Sequence, residues 1–308
     1  MSLLITLVGL VVLVVGAELL LRGAVNVAFR ANLSPLVVGL TVVSVGTSAP
    51  ELVVSLSAAF HGSPSIAVGN VIGSNIANIA LILGLCVLVF PMEPDRDAYR
   101  IHWPVMMVAS LLVLALLQND RLGRGEGLVL VLMLLAYVVW MVRRSRREHL
   151  RGPVNMVSGP IWRDAVFLFI GIAGLTKGGE WFVSGASDLS RQLGISEQLI
   201  GLTVVALGTS MPELAASLVA AFRKQPDIGL GNIIGSNVFN LLGILGTTSL
   251  VRPLQADHLA FFPDLMVMLA TGLVLYPLAR FFRRIGRWQG AVLLTAYFGY
   301  VYYLVNRG

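Results

Sequence analysis

Two glutamates lie inside apolar runs of this chain, Glu51 in Gly46-Thr47-Ser48-Ala49-Pro50-Glu51 and Glu213 in Gly208-Thr209-Ser210-Met211-Pro212-Glu213. In the next run each is followed by a Gly-Ser-Asn block, Gly69-Asn70-Val71-Ile72-Gly73-Ser74-Asn75-Ile76-Ala77-Asn78 and Gly231-Asn232-Ile233-Ile234-Gly235-Ser236-Asn237-Val238-Phe239-Asn240. Carboxylate, hydroxyl and amide oxygens without thiol or imidazole are the donors of a hard cation, calcium or sodium. Thr47 stands four residues before Glu51, with Ser48 beside it, and Ser74/Asn78 and Ser236/Asn240 share that spacing, so each pair points to one helical face. Pro50 has no N–H for the Gly46 carbonyl, and Pro212 likewise frees that of Gly208, which adds backbone oxygens to the set. Two carboxylates bring a charge of minus two, matched by one calcium or by two to three sodium ions, and competition for one set of oxygens yields exchange.

Close helix packing is the competing explanation, since small residues at i and i+4 let membrane helices approach. It accounts for Gly69, Gly73, Gly231 and Gly235, but not for two glutamates. Asn70, Asn75, Asn232 and Asn237 fit either reading.

The elements that must position these residues are membrane helices. Of 308 residues, 56% are hydrophobic and 12% charged, and the mean hydropathy is +0.84, more apolar surface than a water-soluble core can hide. Apolar runs near 3–21, 35–60, 66–90, 101–118, 126–142, 164–187, 197–222, 228–250, 260–279 and 288–305 predict ten spans. A glutamate in such a span costs on the order of 3 kcal/mol, and a broken backbone there is tolerated only against protein, water or an ion. The first run has no basic start, and its Gly16, Glu18, Gly23 and Ala24 recur as Gly178, Glu180, Gly185 and Ala186, so it is a permanent span and not a signal peptide.

Residues 39–84 return as 201–246 without a gap, with about 28 of 46 positions identical. Each copy belongs to a five-span half, and an odd number of spans turns the second half over. The predicted fold is an all-α integral membrane protein of ten transmembrane helices, two inverted five-helix repeats with broken helices at the midplane. The expected units are residues 1–150 with the block 39–84, a basic linker 151–163, and residues 164–308 with the block 201–246. The charge of +6 reads as topology and not as nucleic-acid binding: about 15 Lys and Arg fall in one set of alternating loops and about five in the other. That puts the 143–163 loop in the cytoplasm and both termini outside. The lone Cys86 excludes an intramolecular disulfide, and the histidines at 61, 102, 149 and 258 are scattered. Trp103, Trp140, Trp162, Trp288, Tyr297 and Tyr302 read as interface anchors. Lys177 and Glu180 are spaced to pair on one helical face.

The two copies resemble the alpha-repeats of the cation/calcium exchanger superfamily, nearest its prokaryotic sodium/calcium branch of inner-membrane antiporters. The resemblance implies Glu51 and Glu213 as central ligands, with Thr47, Ser48, Thr209 and Ser210 beside them. It also implies ligands at Ser74, Asn78, Ser236 and Asn240, and backbone carbonyls near Ser44 and Ala206. Some archaeal and potassium-dependent members carry Asp where this chain has Asn240, which leaves two site carboxylates and argues against potassium co-transport. The proton/calcium branch usually replaces the Thr-Ser-x-Pro segment, so Gly46 to Glu51 favours sodium as the driving ion. The expected function is sodium/calcium antiport by alternating access, with calcium/proton antiport and a cation channel as the rivals. Calcium, sodium and membrane lipid are the expected partners, with no cofactor, no enzymatic activity and no obligate protein partner.

Overall fold

The computed structural model describes residues 1–149, 160–194, 206–282 and 284–307, so most of the expected linker and the first third of the expected 197–222 span lie outside the described residues. In chain order the helices are α1 (Ser2–Ala31), α2 (Pro35–Thr47), α3 (Ala49–Phe60), α4 (Pro64–Val89), α5 (Ala98–Asn119) and α6 (Arg124–His149). They continue as α7 (Ile161–Gln192), α8 (Ala206–Gly208), α9 (Met211–Phe222), α10 (Pro226–Val251), α11 (His258–Phe281) and α12 (Arg287–Arg307). Seven of these are long and apolar enough to cross a membrane, and α2 with α3 makes an eighth crossing bent by 45°. The chain is a multi-pass, all-α membrane protein. The 21-residue α12 falls outside that set, being lowered in hydropathy by Tyr297, Tyr300, Tyr302 and Tyr303.

Two helices form the centre. The apolar stretches of α4 and α10 are 83% and 94% buried within the protein, against 22–39% for the other five continuous spans, so the rest of the fold is wrapped around the pair that carries the Gly-Ser-Asn blocks. Apolar packing divides in two: a large cluster built on α4, α5, α6, α10, α11 and α12, and a small one joining α1 and α7 to α2 and α9. Opposite loops are tied by backbone pairing, Arg121–Leu122 with Leu254–Gln255 as a two-strand antiparallel ribbon and Met92 with Ile285 as a single bridge.

α1 runs to Ala31, well past its expected limit, because its polar residues find partners: Arg22 donates to Glu18 (2.7 Å), and Asn26 and Arg30 both donate to the buried Asp164 of α7 (2.7 Å each). Lys177 and Glu180 pair at 2.7 Å as their spacing predicts. Of the expected interface aromatics, Tyr297 is buried. Trp103 is half-buried and donates its indole N–H to the Gly272 carbonyl of α11 (2.7 Å).

α1 and α7 pack antiparallel through glycines seven residues apart, Gly9, Gly16 and Gly23 on one and Gly171, Gly178 and Gly185 on the other. A methyl group at Gly16 would stand 2.7 Å from the Leu175 nitrogen, and one at Gly178 would stand 2.6 Å from that of Leu13. The backbones are therefore in contact along the length of the pair. Gly16→Ala and Gly178→Ala should each destabilise the detergent-solubilised protein by about 1–3 kcal/mol, read as a lower melting temperature. Gly299→Ala, which meets nothing within 4 Å, should leave it unchanged.

Candidate cation site

The two breaks are built alike. Ser48 (φ −85°, ψ 7°) separates α2 from α3, and Ser210 (φ −90°, ψ 5°) precedes α9 in the same conformation. A proline follows two residues later in each, within the first turn, where its missing N–H costs no helical bond. Glu51 and Glu213 complete those first turns, so each carboxylate sits at the positive end of a helix dipole inside the protein. Both side chains are 1% exposed, and Ser48, at the first break, reaches across to the carboxylate that follows the second.

The helices that carry the amides change pitch where the amides occur. α4 is π-helical over Ala77–Leu83 and α10 over Phe239–Ile244, which places Asn78 and Asn240 at the entry to a wider turn. Neither π-segment is marked by any local composition signal.

Hydrogen bonds join the halves at this level. Ser48 Oγ donates to Glu213 Oε1 (2.7 Å), Ser210 Oγ to Ser74 Oγ (3.5 Å), Asn78 Nδ2 to Asn237 Oδ1 (2.9 Å) and Asn240 Nδ2 to Asn75 Oδ1 (3.2 Å). The Thr47 hydroxyl is directed at the Ser44 carbonyl (3.3 Å) and at Asn232 Oδ1 (3.1 Å), and the Ser44 carbonyl also accepts the Ser48 N–H (2.9 Å). Six buried oxygens at this level have no donor: both of Glu51, Oε2 of Glu213, Oδ1 of Asn78, Oδ1 of Asn240 and Oγ of Ser236. Buried acceptors are ordinarily satisfied. Orphaned oxygens bearing two negative charges suit a hard cation and nothing softer. Thr209 is half-buried and lines a cavity of about 460 Å³ with Pro50, Pro212 and, from α7, Thr176 and Gly179. Ala206 opens the short helix α8, whose Leu207 carbonyl accepts the Ser210 N–H (3.1 Å).

The amides that the sequence left open divide into two roles. Asn70 Nδ2 donates to the Glu51 carbonyl (3.3 Å) and Ser55 Oγ (3.0 Å), and Asn232 Nδ2 repeats this with the Glu213 carbonyl (3.4 Å) and Ser217 Oγ (3.0 Å). These two clamp the glutamate-bearing turns. Asn75 and Asn237 instead hold the other asparagines. The packing explanation applies to the second copy, where a methyl at Gly231 would meet the Leu36 carbonyl at 2.5 Å and one at Gly235 the Leu40 Cα at 2.6 Å.

A sequence with this site matches the family described as "Sodium/calcium exchanger protein" over residues 1–143 and 164–306. The chain belongs to that family. It is 36% identical to inner membrane protein YrbG of Escherichia coli over 277 residues, covering 87% of this chain and 85% of that one. It is 31% identical to the sodium/calcium exchanger MaX1 of Methanosarcina acetivorans over 338 residues, covering 97% of each. The solved structure of the sodium-calcium exchanger NCX_Mj soaked with zero Na⁺ and Ca²⁺ superposes with a TM-score of 0.84 at 33% identity, over 98% of both chains. The exchanger fold therefore holds over the full described length.

Removing a clamp should loosen the turn without changing the ligands. Asn70→Ala and Asn232→Ala should each cost about 1–2 kcal/mol of stability, seen as a lower melting temperature in detergent, with the ratio of calcium to sodium affinity unchanged.

Proposed function

We propose that the chain is a sodium/calcium antiporter that moves calcium out of the cytoplasm as sodium enters, presenting one set of oxygens alternately to the two faces of the membrane. The observation that carries this reading is the apposed pair Glu51 and Glu213, buried at matched helix starts with three of four carboxylate oxygens lacking a donor. The ligand set is Glu51, Glu213, Thr47, Ser48, Thr209, Ser210, Ser74, Asn78, Ser236 and Asn240, with backbone carbonyls at Ser44 and Ala206. With Asn240 in place of a third carboxylate, sodium and calcium are transported without potassium.

The units 1–150 and 164–308 are inverted five-helix halves. Support comes from the contacts that recur when the halves are exchanged. Gly9 against Phe182 returns as Gly171 against Leu20, and Met92–Ile285 at one end has its counterpart in Leu122–Leu254. The central loop is cytoplasmic and both termini lie outside, in an inner membrane. The α1/α7 pair is the moving part. Its glycine-spaced seam and its border on the cavity beside both prolines support a pair that slides across a fixed site.

Inside-out vesicles loaded with sodium and diluted into sodium-free medium should take up radiolabelled calcium, and uptake indifferent to the sodium gradient would overturn the reading. Glu51→Gln and Glu213→Gln should each lower calcium exchange by about two orders of magnitude, because a divalent ion loses twice the attraction per carboxylate that a monovalent ion does. The double variant should be little worse than either single one. Cysteines placed along α1 and α7 should change in reagent accessibility between sodium-loaded and calcium-loaded protein.

A further inference from the structure

Two methionines outside the repeated blocks end hydrogen-bonded chains that run to the site. Asn237 Nδ2 donates to Met106 Sδ (3.5 Å), and Asn78 Nδ2 donates to Asn237 Oδ1 (2.9 Å). In the other half, Asn75 Nδ2 donates to Met268 Sδ (3.7 Å), and Asn240 Nδ2 donates to Asn75 Oδ1 (3.2 Å). Met106 on α5 and Met268 on α11 stand in the same 162-residue register as the two copies, although the helices around them have diverged. All six side chains are at most 3% exposed.

From this we infer that Met106 and Met268 are positioning residues which, acting through Asn237 and Asn75, turn the carbonyl oxygens of Asn78 and Asn240 toward the cation. The inference rests on reading Asn78 and Asn240 as ligands. The argument is one of donor and acceptor parity. A thioether has no hydrogen to give, so a carboxamide facing it presents its NH₂. That leaves Asn237 Oδ1 on the opposite edge, where it accepts the NH₂ of Asn78 and leaves Asn78 Oδ1 pointing the other way. Asn78 Oδ1 and Asn240 Oδ1 are the oxygens that meet no protein donor. Without the sulfur, either amide of a relay is free to turn over, and a flipped Asn78 would offer a cation its NH₂ and repel it. Each relay also passes from one half to the other and back, so α5 and α11 on the outside of the fold set the orientation of ligands at its centre.

Packing alone makes the opposite prediction for two substitutions. Leucine conserves the methionine's volume and apolarity but cannot accept a hydrogen bond, whereas glutamine has similar length and supplies an acceptor oxygen. In reconstituted proteoliposomes, Met106→Leu and Met268→Leu should each raise the calcium concentration for half-maximal sodium-dependent uptake roughly three- to tenfold, the fold-change of one hydrogen bond. The maximal rate should change less than the affinity does. Met106→Gln and Met268→Gln should restore the affinity. Asn78→Ala and Asn240→Ala serve as references. Unchanged calcium affinity in those two overturns the ligand reading and this inference with it. Weakened affinity there, combined with unchanged affinity in the leucine variants, or glutamine variants worse than leucine ones, overturns the positioning role alone.

Discussion

Glu51 and Glu213 place two like charges against one another in the interior, and the surrounding structure is arranged to make that tolerable. Unit charges about 4 Å apart repel by about 4 kcal/mol at an effective dielectric near 20, in addition to the cost of burying each. Three features offset this. Each carboxylate sits at a helix N-terminus created in mid-chain by the Ser48 and Ser210 breaks, Ser48 donates a hydrogen bond to Glu213, and orphaned oxygens of Glu51, Asn78, Asn240 and Ser236 gather a cation's coordination shell. A cation between them would offset the repulsion, in proportion to its charge.

The candidate site is nearly symmetric, and its hydroxyls are where the symmetry departs. The clamps at Asn70 and Asn232, the amide bridges and the methionine contacts all occur twice. The hydroxyl contacts do not. Ser48 reaches Glu213, while Ser210 bonds to Ser74 and leaves both oxygens of Glu51 without a donor. The glycine-spaced α1/α7 pair is tightly joined within itself and packs through the smaller apolar cluster against α2 and α9.

The legible part of the sequence was whatever depends on backbone chemistry and on repetition. A proline directly before a glutamate in an apolar run marks a helix start wherever it folds, and the 162-residue repeat pairs Glu51 with Glu213 and the two Gly-Ser-Asn blocks with each other. Lys177 and Glu180 pair as their spacing requires, because both lie on one helix. What the sequence left hidden concerns partners on other helices. Tyr297 has the composition of a membrane-interface residue and is buried, and Trp103 spends its indole N–H on the Gly272 carbonyl of α11. Asn70 and Asn75 are five residues apart in one block, yet one donates to a backbone carbonyl and the other accepts from Asn240 of the second copy.

By itself, then, the sequence determined a membrane protein with two buried carboxylates, broken helices beside them and hard oxygen donors in two matching copies. Tertiary structure alone decided which oxygens stay free, which amides act as clamps and which as bridges, and that Met106 and Met268 take part at all. The physical reason is that helix breaks and apolar spans arise from neighbours along the chain, within reach of a pattern. Whether a carboxamide presents its oxygen or its nitrogen to the site is settled by the donor or acceptor that a distant helix places against its other edge.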